Sequence, residues 1–152
     1  MLLPLSNVRQ RQLADCLVAC TAMVLQYLYI PLGYERLLEI LGTTDAGTPF
    51  SRLDQLKQWR LAVTGGEGDM ATLHTHLETG LPVIVAVHTW ALPYWQNIDT
   101  EHAVVIVGLD DNDVYLLDPA FAEAPQVVDH NAFLAAWGDR DNEYTVIGLD
   151  AG

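Results

Sequence analysis

The chain has 152 residues, of which 51% are apolar, so it can bury a sizeable core without disulfides or a structural metal. Seven lysines and arginines against 20 aspartates and glutamates give a formal net charge of −13. Such an acidic chain repels the phosphates of nucleic acids and of anionic membranes, so we predict neither as a partner. Only 18% of the residues are charged, which is typical of one globular domain and not of a disordered acidic tail.

The first half of the chain predicts helices. They cover residues 15 to about 29, 34–41, 51–59 and 69–79. Gly42 and Gly80 stand where a left-handed residue commonly ends a helix. Ser51 and Asp54 have the spacing of a capping box, which predicts the start of the third helix. The glycine-rich stretch 65–68 lacks the residues of a phosphate-binding loop and predicts a turn.

The second half predicts strands. They cover residues 81–88, 102–109, 113–119 and 144–149, with one more helix near 130–137. The runs 81–88 and 102–109 are continuous and β-branched, which is typical of strands buried on both faces. A polar turn at 110–112 predicts a hairpin. Helices followed by antiparallel strands indicate the α+β class.

The chain contains only two cysteines, Cys16 and Cys20. Because they lie one turn apart on the first predicted helix, a disulfide between them would be strained, and we expect a reducing, cytoplasmic setting. The first residues lack the basic region of a secretory signal. The uncharged stretch 16–34 is interrupted by polar residues, glycine and proline, so we predict no integral membrane segment.

Cys16 is the candidate nucleophile. A thiol attacks as thiolate, and the N-terminus of a helix favours that anion through its dipole and unpaired N–H groups. The position of Cys16 in the first helical turn satisfies this condition. The alternative is that both cysteines are small core residues, which we expect for Cys20.

His102 is the candidate base, because a polar residue at the edge of an apolar strand must be solvated, paired or functional. Asp118 lies on the partner strand. A three-residue turn would pair Leu109 with Asp113 and Val104 with Asp118, which makes His102 and Asp118 diagonal neighbours on one face. A turn of even length would place them on opposite faces.

Two further groups of residues are candidates for the same site. Gln10 and Gln12 both precede Cys16 closely enough to donate a hydrogen bond to an oxyanion, although either could be a solvated loop residue. Trp90, Tyr94 and Trp95 lie in the loop that leads to His102, where they would form the wall of a peptide groove or close the end of the core.

No metal or other cofactor is predicted. His74 and His76 are two residues apart on a predicted helix, so their side chains diverge by about 200°. No group of cysteines and histidines has the spacing of a zinc site.

The spacing of these residues resembles that of a known family. Gln10 lies six residues before Cys16, Asp15 directly precedes the cysteine, His102 opens an apolar strand, and Asp118 is followed by Pro119. This pattern, over nearly the whole chain, is similar to that of the bacteriocin-processing cysteine peptidases. These papain-like enzymes cleave leader peptides after a double glycine, often as the N-terminal cytoplasmic domain of a peptide-exporting ABC transporter.

The resemblance implies a papain-like fold and a role for each of four residues. Cys16 would be the nucleophile, His102 the general base, Asp118 the residue that orients His102, and Gln10 the oxyanion donor. It also implies a peptide or protein substrate and a peptide-exporting ABC transporter as partner, with the chain either free-standing or a domain of that transporter.

The family usually has Asp-Cys-Gly where this chain has Asp15-Cys16-Leu17. The leucine puts a bulky side chain beside the nucleophile, so the cleavage-site specificity stays open. Two alternatives to hydrolysis also stay open. The same triad can catalyse deamidation or transfer to an amine, and a peptidase-like domain can bind peptides without cleaving them.

Overall fold

The computed structural model describes residues 2–150. The strands are β1 (Leu61–Glu67), β2 (Val83–His88), β3 (Glu101–Leu109), β4 (Asp113–Leu117), β5 (Gln126–Asp129) and β6 (Glu143–Leu149). They form one antiparallel sheet in the order β1-β6-β2-β3-β4-β5. The α-helices are α1 (Cys16–Tyr27), α2 (Tyr34–Leu41), α3 (Met70–Glu78) and α4 (His130–Gly138). Three 3-10 helices cover Phe50–Trp59, Thr89–Ala91 and Pro93–Trp95.

The sheet separates two hydrophobic layers. On one face, Ile84, Val105 and Ile147 pack in a cluster with α1 and α2. On the other face, Val85 and Ile106 pack with α3 and α4. All five residues from Val83 to Val87 are buried, which confirms the prediction of a central strand covered on both faces.

Helix α1 lies against β3 and is itself almost entirely enclosed. Every residue from Leu17 to Leu25 is buried, because the sheet covers one side of the helix and α2 covers another. Its 12 residues span only about 18 Å. Within residues 2–150, no helix has both the length and the apolarity needed to cross a bilayer.

Most of the predicted elements are confirmed, and with them the α+β class. Gly42 and Gly80 have φ angles of 64° and 82°, the left-handed conformation expected where α2 and α3 end. Asp69 caps α3 by accepting a hydrogen bond from the backbone N–H of Thr72, whose side-chain hydroxyl in turn accepts one from the backbone N–H of Asp69.

Three predictions are wrong or incomplete, two of them about the first half of the chain and one about the second. Residues 61–67 form β1, an edge strand, so the glycine-rich stretch is not a turn. Residues 50–59 form a 3-10 helix that begins after Pro49, and no side chain caps it, so the expected capping box is absent. The short strand β5 was not predicted, since only one of its residues, Val128, is buried.

The register of the β3–β4 hairpin differs from the prediction at its turn but agrees with it at the other end. Leu109 pairs with Val114, not with Asp113, so the turn has an even number of residues. A β-bulge between Ile106 and Gly108 then shifts the register by one residue. Beyond the bulge Val105 pairs with Leu117, and continuing this register places Asp118 opposite Val104. The bulge therefore brings His102 and Asp118 back to the same face.

Candidate active site

A cleft of about 370 Å³ lies where the N-terminus of α1 meets β3. Cys16 and His102 both line it. Its remaining walls are formed on the helical side by Leu13, Ala14, Leu17, residues 45–48 and Phe50, and on the sheet side by Ala86, Thr100, Glu101, Ala103 and Arg140. Residues 44–47 form a turn at the rim of the cleft. The backbone N–H of Gly47, whose φ is 98°, closes this turn by donating to the carbonyl oxygen of Thr44.

The start of α1 presents Cys16 to this cleft. Cys16 is the first helical residue, is half-buried, and carries a free thiol. The buried Asp15 before it accepts a hydrogen bond of 2.9 Å from the hydroxyl of Tyr34, which itself accepts one from the backbone of Arg11. Burial raises the pKa of Tyr34 to about 12, so it stays a donor. These bonds fix the segment that leads into the helix.

Cys20 lies one turn further along α1 and has a different environment. It is fully buried, and its thiol donates to the carbonyl oxygen of Ala103 at 3.3 Å. Burial raises the pKa of Cys20 well above its ordinary value, because a thiolate there would lose its hydration. Cys20 is therefore a core thiol, as the sequence suggested.

His102 and Asp118 form a buried ion pair. Nε2 of His102 lies 2.7 Å from Oδ1 of Asp118, so Nδ1 is the ring nitrogen that Asp118 leaves free. Burial alone would lower the pKa of His102, but the bond with Asp118 and the nearby Cys16 thiol outweigh it and raise that pKa to about 9. The imidazole and the thiol line the same cleft.

The Asp118 carboxylate accepts four hydrogen bonds. Oδ1 accepts from His102 and from the backbone N–H of Ala120, and Oδ2 accepts from the hydroxyl of Tyr94 at 2.7 Å and the indole of Trp95 at 2.9 Å. Burial would raise the pKa of Asp118, but the bonds from His102, Tyr94 and Ala120 lower it overall. A fully buried carboxylate is therefore kept ionised by its donors.

Tyr94 and Trp95 are not placed as the predicted groove wall. Their polar groups point at Asp118, and the Trp95 ring packs edge-on against the His102 ring with centroids 5.0 Å apart. Trp90 is half exposed, and its indole donates to Asp139 instead. None of the three lines the cleft as the described residues form it. Sequence reasoning missed this contact, although a buried aspartate requires donors and both side chains have an N–H or O–H to give.

Gln10 is tied to the residue that follows Asp118, through a 2.9 Å bond from its backbone N–H to the carbonyl of Pro119. Its side-chain Nε2 donates to the carbonyls of Gln12 and Leu13, at 3.0 and 3.1 Å. Its buried Oε1 has no hydrogen-bond partner among residues 2–150. Gln12 is exposed. Gln10 is therefore bonded both to the residue that follows Asp118 and to the segment that precedes Cys16.

Leu17 contributes to the cleft, but its side chain is only 2% exposed and packs in the core layer around α1. The leucine that replaces the usual glycine therefore directs most of its bulk inward.

The remaining histidines do not form a metal site. His74 binds Glu78 on its own helix at 2.9 Å, whereas His76 packs against Tyr144. Within the described part of the chain, no three side chains of the metal-binding types converge.

A cysteine at the start of a long helix, facing a His–Asp pair on an antiparallel sheet, defines the papain-like cysteine peptidases. The chain belongs to the peptidase C39 family, whose sequence model matches residues 5–140. It is thus a cysteine peptidase of that family. Comparison with curated proteins by sequence gives no match.

Solved structures of related proteins share the fold. The chain superposes on a C39-like peptidase from Bacillus anthracis with a TM-score of 0.75 and 20% identity, covering 95% of this chain and 94% of that one. The peptidase domain of Streptococcus ComA, a bi-functional ABC transporter involved in quorum sensing, gives 0.76 and 20%, with 97% and 98% covered. The double-glycine-motif protease of an AMS/PCAT transporter, solved with its leader peptide, gives 0.71 and 18%, with 97% and 94% covered.

Proposed function

We propose that Cys16, His102 and Asp118 form a catalytic triad that hydrolyses peptide bonds. The observation that carries this proposal is the buried 2.7 Å His102–Asp118 pair, whose histidine lines the same cleft as a cysteine at a helix N-terminus. A base held by a carboxylate and in contact with a nucleophile is the arrangement that nucleophilic catalysis requires.

The proton of the Cys16 thiol is held on Nδ1 of His102, whose raised pKa favours the charged ring, and the resulting thiolate attacks the peptide carbonyl carbon. The tetrahedral intermediate collapses as the C–N bond breaks, and the imidazolium gives its proton to the leaving amine. Water, deprotonated by His102, then attacks the thioester, and its C–S bond breaks to release the acid and the thiol. Asp118 holds the ring throughout and stabilises its charged form.

Gln10 and the backbone N–H of Cys16 are the proposed oxyanion donors. To reach the oxyanion, Nε2 of Gln10 exchanges its bonds with Gln12 and Leu13 for one with the substrate. Those two carbonyls belong to the exposed segment before α1, so water can replace the donor they lose.

Tyr94 and Trp95 are proposed positioning residues. Their bonds to Oδ2 fix the carboxylate plane so that Oδ1 points at His102. The Trp95 ring also covers one edge of His102, which limits the access of water to the His102–Asp118 bond. This role replaces the predicted contact with substrate.

The substrate class we propose is a leader peptide cleaved after a double glycine, and the proposed partner is a peptide-exporting ABC transporter. The family membership supports both, as does the likeness to peptidase domains of ABC transporters. A cytoplasmic location fits the two free cysteines, because cytosolic reductants keep thiols reduced.

The test is cleavage of synthetic Gly-Gly leader peptides, with the product masses determined by mass spectrometry. We expect a cut after Gly-Gly, products that gain one water, and no cut by the Cys16→Ala variant. Cys20→Ala is the matched control, since it makes the same change one turn away on the same helix and should leave cleavage intact. A gain of about one mass unit without a cut would instead show deamidation. Binding without any change of mass would show a silent peptide-binding domain and would contradict the proposal.

A further inference from the structure

Among the described residues that line the cleft there is one arginine, Arg140, in addition to Cys16 and His102. The chain has only seven lysines and arginines. The side chains of five of them bond to a carboxylate or to a backbone carbonyl. These five are Arg9, Arg11, Arg36, Arg52 and Lys57. The guanidinium of Arg140 makes no hydrogen bond or ion pair with any residue from 2 to 150. In a chain of charge −13, a cation without a carboxylate partner in the cleft is unexpected.

Hydrogen bonds fix the main chain around Arg140, so the Cα atom that carries its side chain has a fixed position. Its N–H donates to the carbonyl of Trp137, and its carbonyl accepts from Glu143. The preceding residue, Asp139, accepts a bond from the indole of Trp90. The turn that follows is fastened to the sheet side by Asn142, whose side chain donates to the carbonyl of Gly68 at 3.1 Å.

The other charged residues of the cleft limit where an acidic group can bind. Glu101 and Asp45 also line it, and both are exposed. The carboxylates of Glu101 and Asp45 repel an acidic side chain of a bound peptide. Close to Arg140, by contrast, such a side chain is attracted. Arg140 is partly buried and lines the cleft, so its attraction is screened less than that of a charge on a fully exposed residue. Its planar fork of donors also matches a carboxylate, which accepts two parallel hydrogen bonds from it.

On the basis of the proposed peptidase function, we infer that Arg140 binds an acidic side chain of the peptide substrate within a few residues of the scissile bond. The bound peptide then carries an aspartate or glutamate close to the cleaved bond, because each extended residue advances the chain by only about 3.3–3.6 Å. Arg140 is in this way a specificity-determining residue, and it takes no part in the chemical step.

A structural role for Arg140 makes a different prediction. The residue lies just beyond the C-terminal end of α4, where a positive charge stabilises the helix dipole. If that were its only function, replacing it would change the thermal stability and leave the choice of substrate unaltered. The experiment therefore compares substrate choice between variants and does not rely on total activity.

The experiment digests a chymotryptic peptide mixture from total bacterial protein and identifies the new termini by mass spectrometry. We expect aspartate and glutamate to be enriched at one position near the cut by the wild-type protein. Arg140→Glu should lose this enrichment and gain lysine and arginine at the same position, whereas Arg140→Lys should keep it. Arg60→Glu is the matched control, since it makes the same change of charge at an exposed residue that does not line the cleft.

A peptide from the wild-type set is then resynthesised with Glu, Gln or Lys at the enriched position. We expect kcat/KM of the wild-type protein to fall roughly fivefold to tenfold from Glu to Gln, and Arg140→Glu to prefer Lys. Identical cleavage profiles for the wild-type protein and Arg140→Glu would overturn the inference while leaving the peptidase function intact. An absence of cuts that depend on Cys16 would overturn the proposed function, and this inference with it.

Discussion

The sheet side and the helical side of the cleft differ in how firmly hydrogen bonds hold their polar side chains. On the sheet side, the carboxylate of Asp118 accepts four hydrogen bonds and the ring of His102 is in contact with Trp95. On the helical side, residues 11–13 are exposed, with Leu13 96% accessible, and the side-chain amide of Gln10 is engaged with local carbonyls. The proposed proton-transfer groups are therefore in place before substrate binds, whereas the proposed oxyanion donor must rearrange.

The reason lies in the cost of burying each kind of group. An ionised carboxylate inside a protein must have its full set of donors at all times, since an unpaired buried charge costs several kcal/mol. The Nε2 group of Gln10 has no such requirement, because its bonds are to carbonyls of the exposed residues Gln12 and Leu13, where water can take over. The comparison predicts that substitutions on the sheet side disturb both stability and activity, whereas those on the helical side disturb activity alone.

The largest effect is expected from Asp118→Ala. It removes the group that orients His102 and leaves the donors of Tyr94 and Trp95 without an acceptor. We expect kcat to fall roughly 10²–10⁴-fold and the free energy of unfolding to fall by about 3 kcal/mol, measured by peptide cleavage and urea denaturation. Asp99→Ala is the matched control, because it removes the carboxylate of a second His–Asp pair, His88–Asp99 at 2.6 Å, which lies on the surface. Equal losses in both variants would contradict a special role for Asp118.

Gln10→Ala tests the helical side. If Gln10 donates to the oxyanion, kcat should fall roughly 10²-fold, while urea denaturation changes by less than about 1 kcal/mol. Gln12→Ala, at the exposed glutamine two residues further on, should leave both quantities unchanged. A Gln10→Ala variant that cleaves at the wild-type rate would remove this residue from the site.

Tyr94→Phe and Trp95→Phe test the bonds that hold Asp118. Each deletes one donor to Oδ2 and keeps an aromatic ring. We expect kcat to fall roughly tenfold in each variant, with KM unchanged, because the carboxylate loses its fixed orientation. The loss of a donor should also raise the pKa of Asp118, which moves the acid limb of the pH–rate profile upward. Tyr27→Phe removes a 2.7 Å hydroxyl bond elsewhere in the molecule and should leave the profile in place.

The last prediction concerns the dependence of stability on pH. The pKa of His102 is raised to about 9 from its ordinary value of 6.5, so the folded protein binds this proton more tightly than the unfolded chain. The resulting stabilisation, about 3 kcal/mol, is fully present below pH 6.5 and is lost as the pH rises to 9. In Cys16→Ala the pKa of His102 should be lower, because the thiol that helps to raise it is gone. NMR titration of the imidazole distinguishes the two proteins, and equal pKa values would show that the thiol and the ring do not interact.

The hairpin between β3 and β4 shows how far sequence reasoning reached and where it stopped. The apolar runs located both strands, and the pairing of His102 with Asp118 was predicted from an odd-numbered turn. The turn is even-numbered, and the bulge at Val107 compensates for it. A β-bulge depends on how one strand pairs with its neighbours, so the sequence of that strand alone does not predict it.

The strands β1 and β5 escaped prediction for a related reason. β1 contains Gly65 and Gly66, which have little strand preference, and it exists because Leu61–Glu67 pairs with Glu143–Leu149. Such pairing joins residues about eighty positions apart, and local pattern cannot indicate it. In the same way, Tyr94 and Trp95 belong to a loop whose contact with Asp118 arises only when the chain folds back.

The sequence by itself determined the class of fold, the helix that carries Cys16, the buried central strands and the identity of the candidate nucleophile and base, because these depend on hydrophobic periodicity and on the chemistry of single residues. Tertiary structure alone decided three other features. It introduced the β-bulge that brings His102 and Asp118 to one face, surrounded Asp118 with four donors, and placed Arg140 in the cleft. Each of these depends on contacts between distant segments, and only the folded chain brings those segments within hydrogen-bonding distance.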